Sequence, residues 1–409
     1  MESLLIIMEK KINDKKNNIK NGIIDFKLKI KIGYKIMSLN RELDGILVVS
    51  LEQAVAAPYC GLLLADAGAR VIKIERPEGD FARGYDAGAD GQSTIFAWLN
   101  RGKESLCLDL KDAADVSFML KLLSKADVFI SNLAPGAVAR LGLDGSTLRS
   151  RNPKIITCRV SGYGETGEAA EMKAYDFLVQ AESGVCSVTG TKTTPSRVGV
   201  SMTDLSSGLT AFSAILRGLI QVSRTGEGMD IPISMFDVMA DWMNMALLSH
   251  RYMGGAPERT GLQHSFISPY GAFTCRDGSQ ILLSIQSNRE WASFCEYVLQ
   301  DVDLIYNPFF KNNTDRFSNR VELDAKVNKC FSNYDKATVM DLLKKANIAY
   351  SSLNSVSDVS KHQFLKTSYA KIGNQNIELA ALPVSTESGS PINVPDLGEH
   401  NKKLKEEFS

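Results

Sequence analysis

Among the residues whose types could do chemistry, Asp204 has a suggestive setting. It sits in Gly199-Val-Ser-Met-Thr-Asp204-Leu-Ser-Ser-Gly208, where a short apolar run delivers a carboxylate just ahead of a helical pattern. Two compatible readings fit it: an aspartate capping the helix start, and a functional carboxylate that the helix start holds ionised and directed. Lys173-Ala-Tyr175-Asp176 places polar groups ahead of another apolar segment, with Asp176 expected to cap that helix. Gly162-Tyr-Gly164-Glu-Thr-Gly167 fits G-x-G-x-x-G. It follows a late strand, however, and is acidic where a phosphate would lie, so it reads as a mobile glycine loop beside an active site. Arg76, Lys111, Arg140 and Lys173 are each ordinary surface cations, yet together they suit a polyphosphate ligand. His264 and His400 have no visible partner, and each is expected to make a loop hydrogen bond.

The elements that must carry these residues alternate. Apolar runs at Ile46–Leu51, Val71–Glu75, Leu106–Leu108, Asp127–Ser131, Ile155–Val160 and Met229–Ile233 read as strands, and 58–69 and 112–125 as intervening helices. Such alternation predicts a parallel sheet covered on both faces, with ligands at the carboxyl ends of its strands. Residues 206–223 and 234–250 read as two long helices. Tyr270–Cys275 and Gln280–Ile285, joined by Arg276-Asp277-Gly278, read as a hairpin. Residues 288–299, 320–331 and 336–345 read as amphipathic helices. The fold class is therefore α/β: a large domain over 37–250, a linker and active-site loop over 251–264, a smaller α+β domain over 265–370, and a segment over 371–409 returning to the large domain.

Forty-seven basic and forty-seven acidic residues balance, which argues against a nucleic-acid or membrane-surface binder. Seven cysteines without a C-x-x-C pair read as reduced thiols, and four histidines without H-x-x-x-H spacing argue against a metal site. The most apolar stretch, Leu209 to Val222, carries Arg217, so no membrane span is expected. Residues 1–36 differ from the rest: nine lysines, nine isoleucines, no arginine and four acidic residues. The segment reads as an atypical extension, and the location is expected to be cytoplasmic, or the mitochondrial matrix if 1–36 serve as a presequence.

Several motifs, in order, resemble the class III CoA-transferases, the formyl-CoA:oxalate and carnitine CoA-transferase superfamily. They are Leu43-Asp-Gly-Ile-Leu-Val-Val-Ser-Leu, Ala56-Ala-Pro58, Val71-Ile-Lys-Ile-Glu-Arg-Pro77-x-Gly79-Asp80, Asn100-Arg-Gly-Lys103, Leu108-Asp-Leu-Lys111, Ala126-Asp-Val with Asn132, Ser161-Gly-Tyr-Gly-x-Thr-Gly167 and Leu397-Gly-Glu-His400. The resemblance runs from about residue 41 to 403. It implies a Rossmann-like large domain, a smaller α+β domain and an interlocked ring-like homodimer. It also implies Asp204 as the catalytic carboxylate, and Ala56, Arg76, Leu108, Lys111, Asn132, Arg140 and Lys173 as the CoA contacts. The expected ligands are acyl-CoA and small carboxylic acids, with no cofactor beyond CoA as substrate and no metal. Val55 stands where the formyl-CoA:oxalate enzyme has glutamine, so no side-chain role carries over there.

The choice of an aspartate follows from chemistry. To hold CoA itself, an enzyme needs an acyl group of its own, which a carboxylate supplies and a serine or cysteine cannot. With an ordinary carboxyl pKa near ~4 it is ionised at neutral pH and ready to attack. The α-methylacyl-CoA racemases resemble the chain too, but have a histidine where Tyr175 stands, so the proton-exchange alternative lacks one base. The stretch from Gly254 to Phe273 resembles the subgroup acting on C4–C5 dicarboxylates such as succinate, malate, itaconate, mesaconate and citramalate. Tyr175, Gly254, Gly255, Arg259 and His264 are the substrate-side candidates.

Overall fold

In a computed structural model of the chain, residues 41–384 and 389–409 are described; the 1–36 extension lies outside them. Six parallel strands form the main sheet: β1 (Leu47–Leu51), β2 (Arg70–Glu75), β3 (Glu104–Cys107), β4 (Val128–Ser131), β5 (Ile156–Ser161) and β6 (Met229–Ser234). Their order is β3-β2-β1-β4-β5-β6, so the winding reverses between β1 and β4, where Val48 lies opposite Val128. In a sheet of this type, ligands gather beyond the carboxyl ends at that reversal. The strands read as nearly unbroken apolar runs because both faces are covered. Successive residues then serve opposite cores: Val48 and Ile130 join one, Val49 and Phe129 the other.

The principal helices are α1 (Ala56–Asp66), α2 (Ala113–Leu123), α3 (Asp176–Glu182), α4 (Met202–Thr225), α5 (Met235–Trp242) and α6 (Asn244–Tyr252). α2 seals one face of the sheet with Met119, Leu122 and Leu123, while α1 and α4 cover the other. α4 lies close because its buried stripe is small: Ser207, Gly208, Ala211, Ile215 and Gly218. A Cβ on Gly208 would sit 2.5 Å from the Ala56 carbonyl oxygen, a backbone atom that cannot step aside. Gly208→Ala is therefore expected to lose about 1–3 kcal/mol of stability by overpacking, read as a lower midpoint in urea. By length and composition α4 is apolar enough to cross a membrane, but Thr203, Ser206, Ser207 and Gly208 are buried against its neighbours.

Two local expectations change. The helix read as 206–223 begins at Met202, so Asp204 lies inside the first turn and the cap position falls to Ser201, whose side chain makes no cap bond. The helix read as 234–250 is two, α5 and α6, meeting at Met243. The remaining chain builds two three-stranded sheets. β7 (Tyr270–Thr274), β8 (Gln280–Ser284) and β9 (Ala349–Ser352) are antiparallel and share a core with Trp291, Phe294, Val327 and Leu343. β10 (Thr367–Ile372) lies between β11 (Gln375–Ala380) and β12 (Ile392–Asn393), against Phe96 and Ala97.

Candidate active site

Asp176, expected to cap its own helix, caps another. It is the first residue of α3 and almost fully buried. Its Oδ1 accepts the backbone N–H of Thr203 at 2.8 Å and of Asp204 at 3.4 Å, satisfying first-turn amides that Ser201 leaves open. Oδ2 accepts from Gln180 Nε2 at 2.9 Å, and Gln180 Oε1 accepts the N–H of Val198 at 2.9 Å. One carboxylate and one amide thus tie the whole approach to Asp204, residues 198–204, onto α3.

This arrangement sets the electrostatics of Asp204. Burial, and then the negative charge of Asp176, push its carboxyl from an ordinary value of 3.8 up to about 7. The group is therefore only about half ionised at neutral pH, not fully ionised as an ordinary aspartate would be, and it is more basic than a free aspartate. Tyr85, which no sequence motif singles out, belongs to the same place. Burial, followed by the charges of Asp80, Asp204 and Tyr175, raises its phenol to about 12. Its ring packs edge-on against Phe81 at 5.7 Å. The only sequence signal for it is its place just after Gly79-Asp80, at the end of the turn Phe81–Gly84.

The sheet gathers the expected CoA contacts along one edge. Arg76 follows β2, Leu108 and Lys111 follow β3, Asn132 and Arg140 follow β4, and Lys173 follows β5, all beyond carboxyl ends. Arg76, Lys111, Arg140 and Lys173 are exposed, whereas Ala56 and Leu108 are buried. Asn132 braces the backbone: its side chain accepts the N–H of Gln53 at 3.0 Å and donates to the Gln53 carbonyl at 2.8 Å. The glycine loop after β5 leads into a short 3-10 turn, Glu168–Glu171. Its acid, Glu165, is paired with Arg159, and a Cβ at Gly162 would strike that of Ala174.

The substrate-side candidates divide. Tyr175 is exposed at the start of α3, beside Asp176. Gly254, Gly255 and Arg259 line a separate cleft of about 830 Å³ with Lys192 and Phe317, which does not include Asp204. The Arg259 guanidinium donates to the carbonyls of Ser187, Thr191 and Lys192 at 2.9–3.1 Å, which makes it a loop anchor. His264 stacks on Tyr270 at 4.9 Å, and its Nδ1 accepts the N–H of Phe266. Burial, then Arg320, lowers its imidazole below the ordinary value. His400 Nδ1 accepts the N–H of Ser105, the expected loop bond. A cleft of about 950 Å³ lies at the opposite, amino edge of the sheet beside Leu47, Arg70 and Glu104. Among the described residues, no cluster of three or more His, Cys, Asp or Glu is placed to hold a metal ion.

A family model for CoA-transferase family III matches residues 43–401. The chain is 33% identical over 376 residues to the acetyl-CoA:oxalate CoA-transferase of Acetobacter aceti, covering 90% of this chain and 95% of that one. It is 34% identical over 327 residues to the succinyl-CoA:glutarate CoA-transferase of Homo sapiens, covering 78% and 73%. Among solved structures, a CAIB/BAIF family protein from Brucella suis aligns with a TM-score of 0.76 and 28% identity, covering 90% of this chain and 99% of that one.

Proposed function

The chain belongs to CoA-transferase family III and is a CoA-transferase, and we propose that it transfers CoA to a short dicarboxylate through a covalent aspartyl-CoA on Asp204. The observation that carries this reading is the buried carboxylate in the first turn of α4, raised to about 7. Asp204 attacks the donor thioester carbonyl, giving a mixed anhydride and CoA thiolate. The thiolate attacks the aspartyl carbonyl, the anhydride C–O bond breaks, and the donor acid departs. The acceptor carboxylate then attacks the aspartyl thioester, and the released thiolate takes the new acyl group and restores Asp204. Every bond formed at Asp204 is broken again, so no energy source is needed.

The two named relatives act, by their names, on oxalate and glutarate, both dicarboxylates. We place the acceptor of this chain in the C4–C5 range: succinate, malate, itaconate or mesaconate. The exposed cations Arg76, Lys111, Arg140 and Lys173 suit the CoA phosphates, as charged donors along the sheet edge. Tyr175 weighs against racemisation, since a phenol is a poor partner for two-base proton exchange. A second copy would cover the exposed Leu209, Ile220, Trp242, Met245, Leu248 and Tyr252 on α4, α5 and α6, and the interlocked dimer is our proposal for the assembly.

The test is peptide mass analysis after exposure to a panel of acyl-CoAs, succinyl-CoA included, and quenching with hydroxylamine. A hydroxamate confined to the Asp204 peptide is the expected result, and the most effective donor identifies the physiological thioester. Unmodified Asp204 with every donor, despite demonstrable CoA binding, would sink the mechanism.

A further inference from the structure

Beneath the site lies a set of charges that the reaction does not use. The side chains of Glu52, Lys73, Asp80 and Lys103 have no exposure at all. Lys73 Nζ donates to Asp80 Oδ2 at 2.8 Å and to the Glu52 carbonyl at 3.3 Å. Asp80 Oδ1 accepts the N–H of Ala54 at 3.2 Å and of Ala82 at 2.9 Å. Gln53, between these two anchors, is held at both its N–H and its carbonyl by Asn132. The loop between β1 and α1 is therefore pinned by side chains at successive backbone groups. Ala54 is held at φ +64°, a conformation that a non-glycine residue keeps only where its surroundings impose it.

That loop faces the nucleophile. Asp204 and Gly208 are four apart on α4 and share a face, and helical side chains lean toward the helix start. Gly208 abuts the Ala56 carbonyl in the first turn of α1, which leaves Asp204 over the residues just ahead of Ala56. The other arm of Asp80 caps the turn Phe81–Gly84, which delivers Tyr85, whose phenol feels the charge of Asp204. One carboxylate thus sets two walls of the site.

We propose that Asp80, held by Lys73, is a positioning residue of the transferase: its Oδ1 fixes the Gln53–Val55 loop and the Phe81–Tyr85 turn on either side of Asp204. The inference rests on Asp204 being the nucleophile. Attack on a thioester tolerates little misplacement of the reacting atoms, so loosening either wall should slow chemistry more than it weakens donor binding.

Asp80→Asn and Asp80→Leu separate this role from a purely structural one. Both variants remove one of the two carboxylates facing Lys73, but only asparagine keeps an acceptor for Ala54 and Ala82. With the donor that best labels Asp204, the Asn variant is expected to stay within about fivefold of the parent kcat, and the Leu variant to fall at least about 50-fold, each with the donor KM within about threefold. Equal rates for the two variants, fast or slow, overturn the inference, as does a Leu variant whose loss lies in KM alone. If Lys73, left facing Glu52 alone, keeps the Leu variant from folding, adding Lys73→Met to both removes the cation, and the same comparison is read on the doubles. Asp204→Ala is run in parallel. If it remains active, the nucleophile assignment itself fails. If it is inactive while the Asp80 variants match, only the positioning role fails.

Discussion

Asp204→Ala is expected to lower kcat by at least about 10⁴-fold, because in the proposed mechanism the aspartyl carboxyl holds CoA between the two half-reactions. Donor binding should survive, since the cations proposed for the CoA phosphates lie on other segments, after β2 to β5. The measurement is steady-state transfer together with a direct titration of CoA binding. A variant that still transferred at a tenth of the parent rate would rule out a covalent aspartyl path. Asp204→Asn should be as inactive as the alanine variant, for an amide accepts no acyl group.

The second expectation concerns pH. With its carboxyl at about 7, Asp204 is protonated and inert below neutrality, so single-turnover acylation should rise tenfold per pH unit toward a midpoint near 7 and then level off. Burial is the larger cause of the shift and Asp176 the second. Asp176→Asn, which can still accept the Thr203 N–H, should therefore move the midpoint downward only partway toward 3.8. For stability the sign is the reverse of the usual aspartate case. The folded state binds the proton more tightly than the unfolded chain, so this group favours folding below pH 4, and the benefit is lost as pH rises through 7. At pH 8 the buried charge costs about 4 kcal/mol, the free-energy equivalent of raising the carboxyl from 3.8 to about 7. Asp204→Asn should recover most of it, read as a higher Tm at pH 8 than the parent, with the difference narrowing as pH falls and vanishing only near pH 4. An unchanged Tm at pH 8, or an acylation rate that is flat from pH 5 to 8, would contradict the shift.

Much of the architecture is legible because each strand of the main sheet announces itself as a short apolar run between turn residues. Val48-Val-Ser-Leu51 and Val71-Ile-Lys-Ile-Glu75 are buried on both faces and carry little else. Lys73 is the telling exception, a fully buried cation that exists only because Asp80 and Glu52 wait for it across loops. The start of α4 lies one turn earlier than its pattern suggests for a related reason. Residues 198–205 hold no good cap of their own, and the amides there are satisfied by a residue nearly thirty positions earlier. Arg259 reads as a carboxylate receptor because its type and its glycine-flanked setting suit one. Its three bonds to carbonyls of 187–192 depend on a tertiary contact that spacing does not encode. Tyr85 escapes notice because nothing in Arg83-Gly84-Tyr85 points toward a residue more than a hundred positions away.

Because the Asp176 carboxylate spans directly from α3 to α4, the place of Asp204 is measured from a neighbouring helix and not along the chain that leads to it. The stretch between Gly184 and Arg197 is largely exposed and closed at its base by the Gln180–Val198 bond. Its length and sequence are thereby uncoupled from the chemistry, since loop closure charges little for added residues. That segment can therefore change in length or composition while the Asp204 carboxylate stays where Asp176 holds it.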